Sequence, residues 1–167
     1  MGNPQLSALD LRSVSFQNFE DDGNIDAYNG VVMWTRPPSL GWQSWNVTKI
    51  GTFDGEDVFT ITMTDPTAPN LKGKNLEATQ PQGTLTLADA EPNKLAQRWL
   101  LRFQDDQTVI LSIKFRDLAL TATGIDNPII LDRVNTGGSD AQMWMPYNKD
   151  ARSTVNSDSR RRSGANA

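Results

Sequence analysis

The side chains that could do chemistry in this chain are restricted, because its 167 residues include no histidine and no cysteine. A Ser-His-Asp triad, a thiolate nucleophile and a metal held by cysteine or histidine are therefore excluded. Carboxylates alone can catalyse glycoside hydrolysis, but no two of them stand in an obvious catalytic arrangement here. We therefore expect a binding protein rather than an enzyme, with no cofactor and no metal ion.

The most informative polar side chains are three glutamines, each followed two residues later by tryptophan; the triplets begin at Gln43, Gln97 and Gln142. A recurring tryptophan predicts a recurring place in the core, where the large ring is buried and its indole N–H finds an acceptor. The glutamine either satisfies buried backbone groups at a turn or points into a pocket. We expect the role shared by all three glutamines to be structural.

The elements that position these triplets are short predicted strands. Apolar and β-branched runs alternate with turn sequences such as DDGN, QPQG and NTGG, at the spacing of about 8–12 residues that is typical of all-β folds. A strand ends nine or ten positions before each glutamine, at Trp34, Ala88 and Asp132. The stretch ADAEPNKLAQRW predicts at most a turn or one 3₁₀ turn, because Pro92 interrupts it.

Three units of about four strands each predict an all-β chain in which one unit cannot bury its apolar face alone. Closure of such units about a pseudo-threefold axis describes a β-trefoil of about twelve strands. We place it at residues 1–148, with repeats at roughly 8–56, 57–108 and 109–148.

Charge and composition change at Lys149. Residues 149–167 contain no large apolar residue except Val155, so we expect a disordered basic tail rich in Ser and Arg. The tail carries +3 and the body −7, and the overall charge of −4 disfavours a nucleic-acid partner. No apolar run is long enough to cross a membrane, and the first residues lack a secretory signal, so we expect no membrane insertion and a cytoplasmic location.

Three Gln-x-Trp units in a cysteine-free chain of this length resemble the ricin-B-type β-trefoil lectins, and most closely the cysteine-free lectins of mushrooms and other fungi. The third unit, LALTATGIDNPIILDRVNTGGSDAQMWMPY, is the most similar stretch, and GVVMWTRPPSLGWQSWNVTKI of the first unit comes next. The resemblance covers the body and not the tail. It implies a carbohydrate-binding lectin without catalysis, whose partners are glycans or glycoconjugates of galactose or GalNAc type.

In that family, a sugar site combines four parts. They are an acidic residue on the second strand of a unit, an aromatic residue ending the third strand, a polar residue just before Gln-x-Trp, and the glutamine itself. In the first unit the resemblance places Trp34 in the aromatic position and Gln43 in the amide position. Trp42 replaces the polar residue and could act as a second platform for the sugar.

The sequence leaves three candidates for the acidic residue of the first unit. Asp10 stands in a family-like Leu-Asp-Leu string, the spacing of the other units points to Asp22, and Asp26 is also near. The second unit has Glu77 but Ala88 in the aromatic position, and the third has neither part in place. The resemblance therefore implies at most one sugar site, in the first unit.

Two other functions fit the same fold. A β-trefoil protease inhibitor would act through surface loops, and RPPSLGW or DPTAPNLKGKN could form a rigid inhibitory loop, because proline lowers the entropy lost on binding. An interaction module with decayed sugar sites is the other alternative. Apart from sugar contact, Trp34 could be half-buried packing at a strand end, and Trp42 could cover the mouth of the barrel. A single shallow sugar site binds weakly, so we expect useful avidity to require a homodimer or an array.

Overall fold

A computed structural model describes residues 11–20, 22–28, 30–34, 42–64, 70–104, 107–135 and 137–148. The predictions on Asp10 and on the tail at 149–167 lie outside these residues. Most of the first candidate inhibitory loop, and part of the second, lie outside them as well.

Twelve strands make up most of the described chain. They are β1 (Leu11–Asn18), β2 (Asn24–Asp26), β3 (Val32–Trp34), β4 (Trp45–Phe53), β5 (Glu56–Met63), β6 (Asn75–Ala78), β7 (Leu85–Ala88), β8 (Trp99–Gln104), β9 (Gln107–Ser112), β10 (Leu118–Thr121), β11 (Ile130–Arg133) and β12 (Trp144–Asn148). Two 3₁₀ turns, Leu95–Gln97 and Asp140–Gln142, run into the second and third Gln-x-Trp triplets. The prediction of an all-β chain with about twelve strands is confirmed, and the stretch that contains Pro92 forms one 3₁₀ turn, within the predicted limit.

Six of the strands close into a barrel. In the ring, β1 pairs with β4, β4 with β5, β5 with β8, β8 with β9, β9 with β12, and β12 with β1, all antiparallel. The remaining strands form three hairpins, β2–β3, β6–β7 and β10–β11. Closure leaves the barrel without a free edge strand. A six-strand barrel with three hairpins is the arrangement of a β-trefoil, and the order of the strands is consistent with three four-strand units.

The three Gln-x-Trp tryptophans occupy matching places in the core. Trp45, Trp99 and Trp144 have no solvent exposure. Their indole N–H groups donate to backbone carbonyls at 3.1, 3.1 and 3.2 Å, and each acceptor lies on the first strand of a hairpin: Ile25 on β2, Leu76 on β6 and Leu120 on β10. The prediction that these rings are core residues with a bonded N–H is confirmed. Each one fastens a hairpin to the barrel.

Barrel strands bury apolar side chains on both faces. In β8, Trp99 and Leu101 belong to the main core, whereas Leu100 between them packs in a second apolar cluster with Val58 and Leu111. Side chains that follow one another on a strand point to opposite faces, which places the second cluster on the outside of the barrel. Within the described part of the chain, no helix is long and apolar enough to cross a membrane.

Candidate functional site

The glutamines of the first two triplets make the same pair of hydrogen bonds. Gln43 Nε2 donates to Asp26 Oδ2 at 2.9 Å, and Gln43 Oε1 accepts from Asn24 Nδ2 at 2.7 Å. In the second unit, Gln97 Nε2 donates to Glu77 at 2.9 Å and Gln97 Oε1 accepts from Asn75 at 3.0 Å. Each glutamine thus joins the loop before its tryptophan to the neighbouring hairpin.

The third glutamine holds its hairpin without a carboxylate. Gln142 Nε2 donates to Thr121 Oγ1 at 3.1 Å and to the Arg133 carbonyl at 2.9 Å. Asp26, Glu77 and Thr121 therefore occupy the same place in their units. The glutamine contact exists with or without an acid, as expected for a structural role.

The acid that meets Gln43 is Asp26, which corrects the placement at Asp22 that was based on spacing. Asp26 pairs with Val32 across the first hairpin, six residues apart, whereas the equivalent pair in the second hairpin, Glu77 and Thr86, is nine residues apart. Counting back from Gln43 by the spacing of the longer units overshoots for this reason. Asp22 instead lies exposed in the turn after β1 with a φ of 65°.

Trp34 ends β3, in the position that the resemblance assigned to the stacking ring. Its partner across the hairpin is Asn24, and the corresponding partner of Asn75 is Ala88. Asp132 takes this position in the third hairpin. Trp34 is half-buried. Its contact with a sugar stays a prediction.

Trp42 pairs with an aromatic residue that the sequence analysis did not single out. The rings of Tyr28 and Trp42 meet edge to face, with centroids 5.1 Å apart. Tyr28 is 58% exposed, which is unusual for so large a ring, and the Ala27 N–H donates to the Trp42 carbonyl at 3.0 Å. Tyr28 stands two residues after Asp26 in the sequence, so identifying Asp26 as the acid would have drawn attention to this tyrosine. The pair forms an aromatic surface at the tip of the β2–β3 hairpin.

Asp26 is fully buried and links the hairpin to the loop that carries Gln43. Its Oδ1 accepts from the Tyr28 N–H at 2.8 Å, while its Oδ2 accepts from Gln43. Asn24 also donates to the Tyr147 hydroxyl at 2.8 Å, which ties the network to β12. A buried carboxylate is stable only when its oxygens are hydrogen-bonded, so these contacts fix the hairpin, the aromatic pair and the loop in one geometry.

In the second unit, the acid in the matching position forms an ion pair with a lysine of the same unit. Lys94 Nζ lies 3.1 Å from Glu77 and 3.1 Å from Glu91, and the Glu77 side chain is only 12% exposed. Burial raises the pKa of the Glu77 carboxyl, but hydrogen bonds from Gln97 and Lys94 outweigh burial and hold that pKa below its usual value. The carboxylate is ionised and already engaged by an ammonium group.

Within the described ranges, no three acidic side chains come together as a possible ion site.

The barrel and its three hairpins define the chain as a β-trefoil. No protein-family model matches its sequence, and no curated protein matches it either.

Solved structures match the fold at low sequence identity. A designed 3-fold symmetric protein, ThreeFoil, aligns with a TM-score of 0.64 and 16% identity over 80% of this chain and 96% of its own. The Rhizoctonia solani agglutinin aligns with a TM-score of 0.60 and 14% identity, over 83% of this chain and 96% of the agglutinin. An exo-β-1,3-galactanase from Clostridium thermocellum gives 0.63 and 18% identity over 82% of this chain but only 30% of the enzyme. At these identities the likeness establishes the fold alone.

Proposed function

We propose that the chain is a carbohydrate-binding protein without catalysis of its own, and that its sugar site lies in the first unit. The observation that carries this proposal is the combination of partly exposed rings with a rigid amide–carboxylate network. Trp34 and the Tyr28–Trp42 pair are attached to the hairpin and loop that Gln43 and Asp26 hold together. The second and third units keep the glutamine but lack the rings in the matching positions.

This combination suits a pyranose, which has one apolar C–H face and a rim of hydroxyl groups. A partly exposed indole offers a flat apolar surface for the C–H face. Polar groups that are already held in place beside the ring lose little side-chain entropy when they bond the hydroxyls. The three-unit arrangement then serves as a frame in which one unit has kept a site.

Two of the structural neighbours, an agglutinin and a galactanase, support a sugar ligand. The resemblance of the Gln-x-Trp units to ricin-B-type lectins favours galactose and GalNAc glycans among the sugars. One site per chain gives weak binding, so we also propose that avidity comes from a homodimer.

A printed glycan array tests the proposal with three proteins: wild type, Trp34→Ala, and Asp132→Ala as the matched control. Asp132 stands in the third hairpin where Trp34 stands in the first, so both substitutions truncate the same strand position. We expect glycan binding by wild type and by Asp132→Ala, and loss of that signal in Trp34→Ala at an unchanged melting temperature. Equal signals from the two variants would place the site elsewhere. Protease inhibition by a wild type that binds no glycan would favour the inhibitor alternative.

A further inference from the structure

The third unit reaches the proposed sugar site through the loop between β10 and β11. This loop runs along the free edge of β3, opposite β2. Val32 forms an antiparallel bridge with Pro128, Met33 N–H donates to the Asn127 carbonyl at 3.1 Å, and Asp126 N–H donates to the Met33 carbonyl at 2.6 Å. The strand that ends in Trp34 therefore has hydrogen-bonded neighbours on both sides.

The Met33 carbonyl accepts from Asp126 and not from Asn127, so both residues face Met33 in a bulge with Asp126 in left-handed backbone. Asp126 therefore lies beside the peptide that joins Met33 to Trp34. The same geometry recurs where the loop of the second unit meets β11. Thr84 bridges Ile130 there, and Gln82 takes the place of Asp126. Both Gln82 and Asp126 have left-handed φ values, 57° and 69°, which supports their equivalence.

The loop is also held against the turn that precedes β2. A Cβ atom on Gly23 would lie 2.5 Å from the Met33 side chain and 2.9 Å from Ile125 Cδ1. A side chain at this position would have to displace both neighbours, so glycine lets the turn lie close to them. The close approach shows that Ile125, the residue before Asp126, lies beside the hairpin that carries Trp34.

Exposure separates Asp126 from the acid inside the first unit. Asp26 is fully buried, and the Gln43 amide and the Tyr28 N–H each occupy one of its oxygens. Asp126 is exposed, and among the described residues its carboxylate makes no hydrogen bond or ion pair. Of the two carboxylates, that of Asp126 is the one open to a ligand.

We infer that Asp126, from the third unit, accepts hydrogen bonds from the hydroxyls of a sugar stacked on Trp34, so that the site spans two units. Two adjacent hydroxyls can share one carboxylate, which selects sugars that present such a pair at the edge of the stacked ring. This inference rests on the proposed function of the first unit. It assigns to Asp26 the task of holding the site and to Asp126 the contact with the ligand.

The experiment measures apparent affinity on the glycan array for wild type, Asp126→Asn and Asp117→Asn. Asp117 is the matched control, because it is an exposed aspartate with a φ of 68° in the turn between β9 and β10. Asparagine suits left-handed backbone, so both variants should fold. We expect Asp126→Asn to bind about tenfold more weakly or worse, as for the loss of a charged hydrogen-bond acceptor, and Asp117→Asn to bind as wild type does.

A second variant, Asp126→Gly, removes the side chain in a backbone conformation that glycine favours, and we expect the same loss. Wild-type binding by both Asp126 variants, together with loss in Trp34→Ala, would overturn this inference and leave the proposed function standing. Failure of the wild type to bind any glycan would overturn both.

Discussion

The first and second units contain nearly the same amide contacts and differ in what surrounds them. Gln43 and Gln97 each bond an asparagine and an acid on the adjacent hairpin, at 2.7 to 3.0 Å. In the first unit, aromatic rings border this network and the acid is buried. In the second, Ala88 stands where Trp34 would be and Lys94 neutralises Glu77. The glutamine is therefore part of the frame, and its surroundings decide whether a unit can bind a ligand.

If the two units share one core geometry, truncation of the core tryptophan should lower the free energy of unfolding equally in both. This is the largest effect that we expect. Trp45→Ala and Trp99→Ala each remove a fully buried ring and one indole hydrogen bond. We expect both to lower the free energy of unfolding by about 4 kcal/mol, measured by urea denaturation. Costs that differ by more than about 2 kcal/mol would show that the units do not share one core geometry.

The two acids should respond differently to an isosteric loss of charge. Both carboxylate oxygens of the buried Asp26 accept hydrogen bonds, one from the Tyr28 N–H and one from the Gln43 amide. In Asp26→Asn, an NH₂ donor replaces one of these oxygens and faces one of those N–H groups. We expect a loss of about 3 kcal/mol in unfolding free energy. Glu77→Gln can keep its carbonyl towards Gln97 and should cost about 1 kcal/mol or less. Equal costs in urea denaturation would contradict the difference in burial.

The aromatic pair predicts a smaller effect, on binding. Tyr28→Ala removes an exposed ring that contacts Trp42 edge to face, and such pairs are worth about 1 kcal/mol. We expect glycan affinity in titration calorimetry to fall about fivefold. Leu95→Ala, a similarly exposed apolar truncation in the second unit, is the control and should leave affinity unchanged. A fivefold loss in both variants would mean that the effect is not local.

Substitution of Lys94 should have the smallest effect, which is a change in how the stability of the fold depends on pH. The pKa of Glu77 is lowered in the folded state, so its stabilisation is present above the usual carboxyl pKa and is lost as the pH falls through the folded value. Lys94→Met removes one cause of that lowering. We expect the variant to be slightly less stable than wild type near pH 7, and to match wild type near pH 3. A difference that persists at low pH would point to lost packing of the lysine stem.

The repeat pattern was sufficient to predict the fold, because strands and core tryptophans leave a local trace in the sequence. The acid was harder, since counting from Glu77 to Gln97 assumes hairpins of equal length and the first hairpin is shorter. The link from Asn24 to Tyr147 joins residues 123 positions apart and leaves no local pattern. The Lys94–Glu77 pair and the approach of the β10–β11 loop to β3 are likewise tertiary contacts.

The most direct test of a sugar site in the first unit uses the five tryptophans as reporters. In ¹H–¹⁵N NMR spectra, each indole N–H gives one resonance, and each can be assigned by a Trp→Phe substitution. On titration with the glycan that binds best on the array, we expect the resonances of Trp34 and Trp42 to shift. Those of Trp45, Trp99 and Trp144, which are buried and bonded to backbone carbonyls, should stay in place. A saturating titration that leaves the Trp34 resonance unmoved would contradict the account.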